Sequence, residues 1–83
     1  MRYMVSWRQH ALNELAQIWM NASDPQAVTD ASNRLDVALR DDPDQTAILM
    51  SGGDWLMIEL PLAVIFRIFP PDCRVVVSRV WHL

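Results

Sequence analysis

The chain has 83 residues, a formal net charge of −3, seven arginines with no lysine, and an apolar share of 52%. A chain of this length forms one domain, residues 1–83, and buries only about 60–65% of the surface its unfolded form exposes. The net charge argues against a general nucleic-acid-coating protein, the single cysteine excludes a disulfide framework, and no apolar run is long enough to span a bilayer, so a cytoplasmic protein with no membrane partner is expected. The apolar share exceeds the about 45–50% usual for soluble domains, which fits either a well-filled core or a surface reserved for a partner or a second copy.

Tyr3, Val5 and Trp7 alternate with Arg2, Met4 and Ser6, the pattern of a half-buried strand. From about Arg8 the period becomes helical, with Leu12, Leu15, Ala16 and Trp19 in one stripe and Gln9, Asn13, Glu14, Gln17 and Asn21 outside it. Ser6 with Gln9 fits a capping box at its start. Ser23-Asp24-Pro25 ends this helix and opens another, with Asp24 as N-cap and Pro25 at the first helical position, where its missing N–H costs nothing. The second helix runs to about Arg40 on an apolar face of Val28, Ala31, Leu35, Ala38 and Leu39. Asp30 with Arg34 and Asp36 with Arg40 are expected i,i+4 pairs on its wet side, worth only about 0.3–0.5 kcal/mol each.

Asp41-Asp42-Pro43-Asp44 stops that helix and begins a polar connection ending at Ser51-Gly52-Gly53-Asp54. Carboxylates beside Pro and Gly read as turn chemistry, so neither a metal nor another cofactor is expected. Residues 55–60 alternate as a strand. The runs 62–69 and 74–83, rich in β-branched and aromatic residues, flank Pro70-Pro71-Asp72 and read as a hairpin. The order β-α-α-β-β-β predicts an α+β fold in which a two-helix hairpin packs on one face of an antiparallel sheet whose other face is partly free. Leu12, Leu15, Trp19, Val28, Leu35, Phe66 and Ile68 are the expected shared core.

No phosphate-binding loop, metal-ligand motif or nucleophile–base arrangement is present. Cys73 with His10 or His82 lacks a third member and reads as structural. What remains is Arg67, Arg74, Arg79 and His82 on the hairpin. Alternation puts Val64, Phe66 and Ile68 toward the core and Arg67 on the opposite face with Ile65 and Phe69. An even loop at residues 70–73 brings Arg74, Val76, Ser78 and His82 to the face of Arg67; an odd loop brings Arg79 and Trp81 instead. These charges either keep the sheet soluble and its edge unpaired, or bind an anion.

The element order, Trp7 followed by Ala11-Leu12-Asn13-Glu14-Leu15-Ala16-Gln17-Ile18-Trp19, the Phe66-Arg67-Ile68 strand and the closing Ser78-Arg79-Val80-Trp81-His82 together resemble the RelE/ParE superfamily of type II toxin–antitoxin toxins, also called plasmid stabilization proteins. The resemblance implies a toxin neutralised by a cognate antitoxin. RelE-like members cleave mRNA on the ribosome and ParE-like members inhibit DNA gyrase, so both targets, and a homodimer, are partners it implies. Arg67 matches the strand arginine of RelE-like toxins near the scissile phosphate, and His82 matches a histidine closing the last strand of ParE-like sequences. In a nuclease, Arg67 would stabilise phosphate charge, His82 would act as general acid or base, and Arg74 or Arg79 would supply a second phosphate contact. RelE-like nucleases usually carry lysines on the strand matching residues 55–60, where this chain has Met57 and Glu59. That departure, together with the closure at Leu83, favours a ParE-like toxin acting by binding over a RelE-like endoribonuclease; an inactive toxin-fold interaction module is the third reading.

Overall fold

The computed structural model describes residues 2–83. Strand β1, Met4–Trp7, turns Val5 and Trp7 inward and Met4 and Ser6 outward, as its alternation requires. Helices α1, Gln9–Asn21, and α2, Pro25–Asp41, follow; then come strands β2, Ile48–Leu49, β3, Trp55–Glu59, β4, Leu62–Phe69, and β5, Arg74–His82. The five strands form one sheet in the order β1-β5-β4-β3-β2, with the helices on one face.

The sheet is mixed where an antiparallel one was expected. β1 runs parallel to β5, pairing Met4 with Arg74 through Trp7 with Val77, while the remaining pairs are antiparallel. The helix hairpin supplies the crossover that parallel pairing needs. β2 is a further strand inside the connection expected to be irregular: Ile48 and Leu49 pair with Leu56 and Trp55 over a run too short to display a period. Among the described residues no helix is long and apolar enough to cross a membrane, and no three His, Cys, Asp or Glu side chains gather as a metal site.

Both helix starts are instructive. Asp24 Oδ1 accepts the Ala27 N–H at 3.2 Å and Pro25 occupies the first turn, as expected for α2. The expected capping box on α1 does not form, because Ser6 stays in the sheet opposite Val76. Arg8 becomes the N-cap, and its N–H donates to Val77 O at 2.9 Å, extending the ladder by one bond.

The core joins Val28, Ala31, Leu35 and Leu39 of α2 to Met57, Leu62, Val64, Phe66, Val75, Val77 and Val80 of the sheet, with Ala11 from α1. Full burial of a side chain such as Phe66 stabilises by about 1.5–3 kcal/mol. Leu15 and Ile68 are half-buried against this core as expected, but Leu12 and Trp19 are 43% and 49% exposed. α1 is rotated so that Ala11, Leu15, Ile18 and Ala22 point inward, which leaves Leu12 and Trp19 over the cleft between the helices. Of the two expected helix-surface pairs, Asp36 with Arg40 forms. Arg34 instead bridges to the sheet through Glu59 Oε1 at 2.7 Å and Leu60 O at 3.1 Å, while Asp30 accepts the Gln26 amide at 2.9 Å.

Candidate functional site

The face of β4 and β5 away from the helices carries the site. Leu62, Val64 and Phe66 are buried, and alternation sends Arg67 and Phe69 the other way. The loop Pro70 to Cys73 is even, so Phe69 pairs with Arg74 and Arg67 with Val76, and Arg67 and Arg74 share a face. A register shift then intervenes at Ile65/Phe66: Ser78 is inserted opposite β4 and its hydroxyl donates to Ile65 O at 3.2 Å. A bulge of this kind places two residues against one and reverses the alternation beyond it. Arg79 and Trp81 therefore fall opposite Ile65 and Ala63, and His82 opposite buried Leu62. The even-loop reading holds on the turn side of the bulge and the odd-loop reading beyond it.

The sequence-derived site residues do not all converge. Arg67 and Arg74 come together. Arg79 is drawn toward α1, where its Nε lies 3.0 Å from Glu14 Oε2; Glu14 Oε1 also accepts the Val80 N–H at 3.1 Å. Glu14 thus satisfies a donor on the stretch of β5 that β1, which pairs only with Arg74 to Val77, leaves uncovered. His82 lines a cleft with Gln17, Ile18 and Asn21, and its Nδ1 is 2.7 Å from Leu83 O. Its partner Leu62 lies five positions along β4 from Arg67, about 16 Å at the rise of a strand, so Arg67 and His82 do not converge on one phosphate. His10 lies with Glu14, at 3.5 Å.

Arg8 joins the site and was not singled out from the sequence. It lines a cleft of about 200 Å³ with Asp54, Arg67, Phe69, Val76 and Ser78. It also lines a neighbouring cleft of about 430 Å³ with Trp7, Phe69, Asp72, Arg74 and Val76. The shared walls make one groove holding Arg8, Arg67 and Arg74. The signal for Arg8 was its outward phase after Met4 and Ser6; only the parallel pairing of β1 with β5 brings it to the hairpin.

Arg8 and Arg74 are exposed, and neither forms an ion pair with the described residues. Arg67 is engaged: Nε donates to Asp54 Oδ1 at 2.6 Å and Nη2 to Gly52 O at 2.9 Å. The loop that supplies both acceptors is closed by Met50 N–H to Asp54 O at 2.7 Å and turns through Gly52 and Gly53 at φ 81° and 85°, a region unfavourable to residues with a Cβ. Glu59, by contrast, lies away from the groove in its pair with Arg34, and Met57 is buried. Neither of the two residues that depart from the RelE-like strand pattern faces the groove; the carboxylate beside Arg67 is Asp54. Guanidinium groups donate hydrogen bonds and accept none, so the arginines of this groove can offer donors to an oxyanion.

Neither a protein-family model nor a curated protein sequence matches the chain. Solved structures do. The RelBE2 toxin–antitoxin complex of Mycobacterium tuberculosis has a chain that superposes with TM-score 0.84 at 17% identity, covering 100% of both chains. The chain has the RelE/ParE toxin fold. The same RelE/ParE architecture relates it to a chain of the chromosomal ParDE system of P. aeruginosa, with TM-score 0.77 at 17% identity over 99% of this chain and 97% of that one. It also relates it to a doubly substituted mutant of the E. coli RelE toxin in its free state, with TM-score 0.71 at 13% identity over 99% of this chain and 84% of that one.

Proposed function

We propose that this chain is the toxin component of a type II toxin–antitoxin (plasmid stabilization) system, ParE-like in that it acts in the cytoplasm by binding a cellular target, and that a cognate antitoxin neutralises it. The observation carrying this reading is the gathering of Arg8, Arg67 and Arg74 in one groove while both histidines lie elsewhere. An arginine cluster recognises an anionic surface, but a guanidinium is too weak an acid to exchange protons in catalysis. One of the similar structures is a toxin–antitoxin complex and another belongs to a toxin–antitoxin system, which supports an antitoxin partner here. The exposed apolar face of the helix hairpin, with Leu12, Trp19 and Met20, is the surface assigned to it.

Induced expression with parallel readouts of gyrase supercoiling and translation tests the reading. Growth arrest with altered supercoiling and intact mRNA is expected, reversed by co-expression of the neighbouring reading frame. Ribosome-dependent mRNA cleavage is the second reading, favoured by Asp54, a carboxylate beside Arg67 that offers a proton acceptor. Wild-type mRNA cuts absent from Arg67→Ala would establish it. No growth effect from any version would leave an inactive interaction module.

A further inference from the structure

Of the three groove arginines, Arg67 alone already holds an anion. Its Nε meets the Asp54 carboxylate and its Nη2 the Gly52 carbonyl, a two-point engagement of the kind two oxygens of one phosphate would make. We propose that Asp54 is a built-in competitor for Arg67, which a ligand must displace, and that the groove therefore discriminates in favour of polyphosphate-type anions over single oxyanions. The inference rests on the reading that this groove meets an anion, and not on which cellular target supplies it.

Three features support displacement. The pair is half-exposed, at 53% for the Arg67 side chain and 37% for Asp54, so water screens it and the hold is weak. Asp54 sits directly after Gly52 and Gly53, where a Cβ would meet nothing within 4 Å, so the loop has open space beside it into which it can shift once Arg67 lets go. Arg8 and Arg74 stand in the same groove without ion pairs and can engage a ligand before Arg67 is released. A monoanion that reaches Arg67 only exchanges one oxyanion for another. An anion with several charges in a row engages Arg8 and Arg74 as well, and those added contacts drive Asp54 off. Discrimination thus comes from a cost imposed on the poorer ligand.

The experiment compares binding of inorganic phosphate and tripolyphosphate by calorimetry at low salt, with folding of each variant checked by circular dichroism. Wild type is expected to prefer tripolyphosphate. Asp54→Asn should tighten phosphate about two- to fivefold, the range of one exposed ion pair, and narrow the preference. Arg67→Ala should weaken tripolyphosphate about tenfold. The double variant Arg67→Ala/Asp54→Asn should bind no tighter than Arg67→Ala, because the competitor has nothing left to occupy. Equal tightening in both backgrounds would mean that Asp54 acts only through net charge, and no tightening in either would also overturn the proposal. If Arg8→Ala and Arg67→Ala leave tripolyphosphate binding unchanged, or wild type binds none, the groove reading itself fails.

Discussion

Asp54 Oδ1 lies 2.6 Å from Arg67 Nε, so one ion pair ties the loop ahead of β3 to the middle of β4 on the open face of the sheet. Both partners are partly exposed, and a pair of this kind stabilises a fold by only about 0–1 kcal/mol. Arg67→Ala is therefore expected to abolish growth inhibition while shifting the urea unfolding free energy by no more than about 1 kcal/mol. Arg67→Lys should restore activity partly, since an ammonium keeps the charge but loses the planar fork. A full loss of the unfolding transition in Arg67→Ala would show that the residue serves the fold first.

Glu14 does the opposite work. Its carboxylate receives both the Arg79 guanidinium and the Val80 N–H, and Val80 is buried. Glu14→Ala leaves that N–H without its acceptor, at an expected cost of about 1–3 kcal/mol in urea unfolding. Glu14→Gln keeps an acceptor oxygen and should recover most of the loss. Growth inhibition per folded molecule should be unchanged by Glu14→Gln, because the groove arginines lie on the other side of the bulge.

The parts of this fold legible in the sequence are those that local chemistry determines. Asp24-Pro25 could only open a helix, and two β-branched runs around Pro70-Pro71 could only fold back on each other. Periodicity also assigned Arg67 to the open face. What it could not supply is which strands become neighbours. The parallel docking of β1 on β5, which brings in Arg8, depends on how the helix hairpin packs across the sheet. The bulge that puts Arg79 and not His82 on the face of Arg67 depends on one inserted residue, Ser78, in a run whose composition looks continuous. Glu59 had the right strand but the wrong face, and Asp54, which reads as a turn residue, reaches the groove only because two glycines redirect the chain.

The rotation of α1 makes two similar leucines unequal. Leu35 is fully buried, whereas Leu12 is 43% exposed. Leu35→Ala should cost about 2–5 kcal/mol in unfolding free energy, and Leu12→Ala less than about 1 kcal/mol. Equal losses at both positions would contradict the observed orientation of α1.

Leu12, Leu15, Ala16, Trp19 and Met20 of α1 line a cleft of about 530 Å³ with Val28, Thr29 and Ser32 of α2. The Trp19 indole N–H donates to Thr29 Oγ1 at 3.2 Å, which ties the half-exposed ring to α2 in the lining of the cleft. An exposed apolar cleft between two helices accepts the apolar side chains of a partner segment, and aromatic residues in such places often carry a large share of binding energy. With the antitoxin as that partner, Trp19→Ala should weaken binding by about 2 kcal/mol or more in calorimetry. Met20→Glu, at a position 63% exposed, should weaken it as well by placing a charge in the apolar contact, with little change in unfolding free energy. Arg67→Ala should leave the contribution of this cleft intact, so that the helix variants escape neutralisation while remaining toxic and the groove variant is harmless but still captured. Antitoxin affinity unaltered in both Trp19→Ala and Met20→Glu would remove this surface from the interface.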